Sequence, residues 1–208
     1  MQIIAMLTML IDHLGIVFFP GEQTWRIIGR ISFPLYAFAL VLGYYHTSNM
    51  RRYLLRLAVI ALLAQIPYML VLDASGINVV GALLLSLLVL LAFDRVRGSV
   101  AGVAAALTAA VLLEALNFDY GYYGLALVLI YRYSRSHLQV ALHLALNLLA
   151  VWDKGWVIQM FSLATTLTLV YTPQLYRAAD RLRPPRWVWR SFYPGHLALL
   201  AAWLMIAH

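Results

Sequence analysis

Apolar runs, broken by short polar, proline or glycine interruptions, organise the whole chain. Each has the length of a helix rather than a strand. They cover roughly 2–19, 24–46, 53–72, 78–93, 99–117, 120–133, 137–151, 155–173 and 193–207. A membrane-crossing helix needs about 20 mostly apolar residues. Most runs satisfy that length, and the sixth and seventh are short for a full crossing. The pattern predicts an all-α, polytopic integral membrane helical bundle of about nine transmembrane helices, eight to ten within the error of run edges. No repeat, low-complexity tract or linker divides the chain, so residues 1–208 read as a single transmembrane domain.

Composition agrees. Of 208 residues 64% are hydrophobic and 11% charged, with a mean hydropathy of +0.83. Soluble domains carry about 25% charged residues, so a water-soluble globule is excluded. Without cysteine there is no disulfide, thiolate nucleophile or Cys-ligated metal. The first run starts at Met1 with no basic leader and is interrupted by Asp12-His13, a poor signal peptide. It is expected to remain as the first span.

Net charge is +7, and its placement points to topology rather than nucleic acid. Arg51, Arg52 and Arg56 follow span two, Arg95 and Arg97 span four, and Arg132 and Arg135 span six. Arg177, Arg181, Arg183, Arg186 and Arg190 follow span eight. The alternate loops hold Glu22, Asp73, Asp119 and Asp153, with only Arg26 and Lys154 as basic residues nearby. The positive-inside rule puts the N-terminus in the cytoplasm, as in a multi-pass protein of a bacterial inner membrane.

Charges inside spans cost about 2.5–3.5 kcal/mol at the bilayer centre and usually face the bundle interior. Span one carries Asp12-His13. Span two carries Gly29-Arg30, then Pro34, which is expected to kink it and free a carbonyl. His13 and Arg30 are about equally far from the Pro20-Gly21 turn, so they should share one depth in the outer half. Span seven places His143 and Asn147 four residues apart on one face, as site residues or as interhelical hydrogen-bond glue. The inner half carries Tyr44, Tyr45, His46 and the arginines after span two, with Tyr193 and His196 at the start of span nine. The layout is two-ended: an acid–base layer near the outer face and an arginine- and tyrosine-rich cytoplasmic mouth. His13 and Asp12 lack the i, i+4 spacing that aims two ligands at one metal ion.

Across nearly its whole length the chain resembles the TraX family of integral membrane proteins, named for a conjugative-pilus protein that N-acetylates pilin. The likeness rests on Ile4-Ala5-Met6 through Asp12-His13, Gly29-Arg30 with Phe33-Pro34, Gly43, Arg56-Leu57, Gln65 and Pro67-Tyr68. It continues through Asn78, Tyr120-Gly121 with Gly124, Leu146-Asn147-Leu148, and Phe192-Tyr193 with His196-Leu197. One departure is the start almost directly at span one, without the longer basic segment of some relatives.

The resemblance implies acetyl transfer from cytoplasmic acetyl-CoA to an amine, or a hydroxyl, on the far side. His13 is then the natural general base. Asp12 would hold the imidazolium or bind the incoming ammonium, and Arg30 or Asn147 would stabilise the oxyanion. An acetyl-histidine intermediate is an open alternative. Arginine forks suit the coenzyme phosphates, which makes Arg51, Arg52, Arg56, Arg95, Arg97, Arg132 and Arg135 candidates. His46 and His196 join them at the mouth, with Tyr44 or Tyr45 stacked on the adenine. Partners would be acetyl-CoA, membrane lipid and an unidentified amine acceptor, with no nucleic acid. The competing expectation is a small-solute or proton-coupled transporter that uses the Asp12, His13 and Arg30 layer.

Overall fold

The computed structural model describes residues 1–96, 100–180 and 184–207. Arg97, Arg181 and Arg183 lie outside the described residues. The described part is all-helical, with one isolated bridge between Ile77 and Phe118. Helices α1 (Gln2–Phe18), α2 (Gln23–Gly29), α3 (Ser32–His46), α4 (Met50–Leu72), α5 (Val79–Arg95) and α6 (Val100–Ala115) form the first half. Helices α7 (Gly121–Tyr133) and α8 (Ser136–Lys154), a 3-10 segment (Val157–Ser162), α9 (Leu163–Tyr171), α10 (Pro173–Asp180) and α11 (Arg186–Ala207) complete it.

The helices follow the apolar runs, with three differences. The second run is α2 and α3 in series: the helix lapses at Arg30-Ile31, four residues before Pro34. Proline has no N–H to give to the Arg30 carbonyl, so the ladder opens there. The neighbouring Ile31 carbonyl accepts from the Thr165 hydroxyl at 3.2 Å instead. The eighth run begins as a 3-10 segment. Finally, α10 forms where the arginine-rich tract read as loop, and α11 starts at Arg186 rather than near residue 193.

Short α7 is the hub. Tyr123, Leu125, Leu127, Val128 and Tyr131 are buried against α3, α5, α6 and α8, and α11 packs along α4. At about 1.5 Å per residue α7 is only about 20 Å long, and its neighbours enclose it. The outside is apolar. Leu62, Leu63 and Ile66 of α4, Leu107 and Val111 of α6, and Leu199 and Ile206 of α11 are exposed. The stretches Gln23–His46 and Met50–Leu72 are long and apolar enough to cross a membrane. The second has only 17% of its apolar window buried, the reverse of a core helix in water.

The loops gather at two ends. At one, the Gln65 amide donates to the Gly76 carbonyl and accepts from Asn78, whose Oδ1 caps Val80 and Gly81 of α5. The Ile77–Phe118 bridge ties this loop to the α6–α7 turn, and Lys154 pairs with Glu114 at 2.7 Å. At the other end Arg132 pairs with Asp94 at 2.8 Å, and Tyr44 and Tyr133 donate to the same carboxylate.

Candidate functional site

Between α1, α2, α3, α4, α5, α11 and the 3-10 segment lies a cavity of about 900 Å³, bordered also by the loops of the first end. Asp12 and His13 of α1 both border it, with Arg26 and Arg30 from the facing arm of the hairpin. The hairpin closes tightly because its contact points are glycines. A Cβ at Gly29 would overlap the Asp12 side chain, and one at Gly15 would overlap Trp25. Asp12 can therefore lie against the α2 backbone, where it meets both arginines. It accepts from Arg26 Nη1 at 3.1 Å, and both of its oxygens accept from Arg30 Nη2 at 3.2 Å.

One carboxylate between two guanidiniums leaves a local charge of +1. The Arg30 side chain is 12% exposed and the Arg26 side chain 35%, so Arg26 is the more open toward the cavity. Arg30 also donates from Nε to the Arg26 carbonyl and from Nη1 to Gln159 Oε1, both at 3.2 Å. Arg30, through its contact with Asp12, borders the same cavity as His13.

His13 turns Nδ1 to His196 Nε2 at 2.7 Å, with the ring planes within 9° of parallel. His196 Nδ1 lies 2.6 Å from the Phe192 carbonyl. This corrects the sequence expectation for His196: it belongs to the acid–base layer and not to the arginine mouth. Because α11 begins at Arg186, His196 is ten residues into the helix rather than at its start.

His143 and Asn147 share one face of α8 as expected, and the Tyr123 hydroxyl meets both. It donates to Asn147 Oδ1 at 2.8 Å and lies 3.0 Å from His143 Nε2. Both side chains are fully buried and neither borders the cavity. Asn147 is thus displaced from the oxyanion role: it is linked to the cavity through Tyr123 and the lining residue Gln159, whose Nε2 donates to the Tyr123 hydroxyl at 3.1 Å. This buried network continues through Ser162 and Thr166 to Tyr131.

None of Tyr44, His46, Arg51, Arg52, Arg56 and Arg132 borders the cavity. They lie toward the other end, Arg51 and Arg52 exposed and Arg56 over the Tyr53 ring. Arg132 is held by Asp94 and Tyr45, and Tyr44 by Asp94, so neither is an open phosphate ligand here. His46 Nδ1 lies 2.8 Å from the Leu42 carbonyl.

Three cavity residues escaped the sequence reading. Arg26 is four residues before Arg30 and hence on its face, a signal that i, i+4 spacing carries. Gln159 sits in the 3-10 segment, where an apolar run hides it. Asp119 borders the cavity from the α6–α7 turn, and burial pushes its carboxyl up to about 6 against the pull of Arg30. Tyr120 beside it has φ +64, and Tyr36, Tyr68, Trp156 and Tyr193 supply aromatic wall. Among the described residues no three His, Asp or Glu side chains converge as a metal site.

The arrangement combines a histidine facing a cavity with preorganised guanidinium donors at its side. It can accept a proton and stabilise an anion in one enclosed space. A family profile described as TraX protein matches residues 1–204. A relative named probable fimbrial assembly protein FimC, serogroup H1, of Dichelobacter nodosus is 29% identical, the match covering 97% of this chain and 93% of the relative. No solved structure matches the chain.

Proposed function

The chain belongs to the TraX family, and on that premise we propose that it is a membrane-embedded acetyltransferase that moves an acetyl group from acetyl-CoA to an amine acceptor. The observation that carries the reading is the convergence of His13, Arg26 and Arg30 on one cavity, with Asp12 holding the two guanidiniums. The exposed apolar faces of α4, α6 and α11 support a bilayer setting, with the arginine end in the cytoplasm and the cavity opening toward the far side. The relative's name connects that protein to fimbrial assembly, which suits an acceptor on a protein exported from the cell.

In this reading His13 takes the proton of the attacking amine. Arg26, the more open guanidinium, faces the oxyanion of the tetrahedral adduct, and Arg30 locks Asp12 in place. A fixed donor in a dry site is worth about 3–4 kcal/mol of barrier. The nucleotide of acetyl-CoA rests near Arg51 and Arg52, and its thioester arm enters between α1, α3 and α11. Tyr36, which borders the cavity, stacks on Trp189 of α11 with centroids 5.0 Å apart. The arm passes where this pair parts.

The test is acetyl transfer to a peptide amine by the purified protein in lipid nanodiscs. His13→Ala should lower kcat by about 10²–10⁴-fold and leave thermal stabilisation by CoA intact. Wild-type protein that is stabilised by small solutes but neither binds nor consumes acetyl-CoA would overturn the reading in favour of transport.

A further inference from the structure

The surroundings of the two histidines fix where their protons sit. A carbonyl oxygen only accepts, so His196 Nδ1, 2.6 Å from the Phe192 carbonyl, carries a hydrogen. A neutral His196 then presents a bare lone pair on Nε2. His13 Nδ1 is 2.7 Å from that atom and must be the donor. A neutral His13 therefore keeps its own lone pair on Nε2, the nitrogen left to face the cavity. His13 borders that cavity and His196 does not.

His196 is itself clamped. The Phe192 ring stacks on it at 4.6 Å and the Tyr193 ring meets it edge-on at 5.9 Å. Asp12 stands next to His13 in sequence but is already shared by two guanidiniums. An imidazolium at His13 needs another partner, and the adjoining imidazole is the one within reach.

We infer that His196 is the positioning residue of His13, holding it in the tautomer with a free Nε2 and storing the proton that it collects. The inference deepens the acyl-transfer reading and rests on it for its catalytic meaning. As the amine attacks the thioester carbonyl, its N–H proton passes to His13 Nε2, and the His13 Nδ1 proton moves to His196 Nε2. When the adduct collapses the C–S bond breaks and the departing thiolate takes the proton from His13 Nε2. The stored proton returns to His13 Nδ1 in the same step, so His13 is never left as an imidazolate. The Phe192 carbonyl keeps its hydrogen bond throughout, so no buried donor is left unpaired at any stage.

Two measurements on the full chain decide this, and neither needs the natural acceptor. Nitrogen-15 NMR of histidine-labelled protein should find both His13 and His196 protonated at Nδ1. A hydrogen on His13 Nε2 at rest overturns the assignment, whatever the variants do. Diethyl pyrocarbonate acylates a bare imidazole nitrogen, and peptide mass spectrometry reads its rate at His13. His196→Gln keeps an acceptor at the Nε2 position and should retain most of the wild-type rate, whereas His196→Leu should slow it about tenfold. Equal rates in all three proteins, or a glutamine variant as slow as the leucine one, refute the role.

In acetyl transfer His196→Leu should lower kcat about 10²-fold at unchanged KM for acetyl-CoA. The glutamine variant, which fixes the tautomer and cannot store the proton, should fall between. Absence of acetyl transfer by the wild-type protein would remove the acyl-transfer reading alone, and the first two measurements would still judge the histidine pair.

Discussion

Each end of the bundle has a carboxylate that holds arginine, and the two differ in what surrounds them. At the cavity end Asp12 serves Arg26 and Arg30 at once beside an open space, with the Asp119 carboxyl on the same wall. At the other end Asp94 is saturated by Arg132, Tyr44 and Tyr133, and none of these four borders that cavity. The arginine end has more charges and the cavity end has more chemistry. Burial and convergence, rather than the number of ionisable residues, separate a candidate reactive centre from a topological signal.

Removing each carboxylate breaks the comparison most directly. Asp12→Ala leaves two guanidiniums on neighbouring turns without the carboxylate that bridges them, and stripping one partner from a buried pair costs about 3–5 kcal/mol. Asp94→Ala leaves Arg132 partly exposed, resting on the rings of Tyr44, Tyr45 and Tyr133. Its cost should be about 1 kcal/mol. Denaturation in mixed micelles reads both values. Equal losses would mean that the two ends are equivalent structural latches.

Next in size is Gly29→Ala. The added methyl overlaps the Asp12 side chain down to its Cβ, so α1 and α2 must move apart. Overpacking of this kind costs about 1–3 kcal/mol. The variant should also lose the proposed acetyl transfer, because the Arg30–Asp12 contacts depend on the close approach. Gly21→Ala in the same hairpin meets nothing within 4 Å and should be silent in both assays.

Much of the bundle was legible because apolar length alone marks a helix in a chain this hydrophobic. The break at Arg30-Ile31 followed from Pro34, and the placing of His13 and Arg30 at one cavity from their spacing about Pro20-Gly21. Partners joined across long separations were not legible. His196 meets His13 across 183 positions, and its depth depends on α11 starting at Arg186, upstream of where the apolar run begins. Asn147 lay on the expected face of α8, yet that face turns to Tyr123 rather than the cavity. Helix α10 was read as loop because eight residues with charges inside an arginine-rich tract give too short a pattern to register.

A smaller effect is expected at the arginine end. Exchanging both Arg51 and Arg52 for glutamine removes two exposed cations from the start of α4 and leaves the cavity untouched. Charge-assisted bonds to phosphate contribute about 1.5–3 kcal/mol when both partners are held. On an exposed surface the pair should raise KM for acetyl-CoA about tenfold at unchanged kcat. A change in kcat alone would sever the proposed link between the two ends.

A pH-dependent effect isolates Asp119 in the α6–α7 turn. Its carboxyl titrates near 6 in the folded protein, raised from 3.8 by burial against the pull of Arg30. Below about pH 4 the folded and unfolded chains both hold the proton, and the residue contributes nothing to the pH slope. From about 4 to 6 the unfolded chain releases it while the folded chain retains it, so the wild-type protein loses stability as pH rises. Above about 6 that loss is complete. Asp119→Asn has no proton to release, so it should melt about 6–12 °C above the wild type at pH 7.5. The gap should close as the pH falls to 4, and taking the difference between the two proteins cancels the titration of every other group. If the gap instead widens on acidification, the ionised carboxylate is the form the cavity favours, and Arg30 rather than burial sets its state.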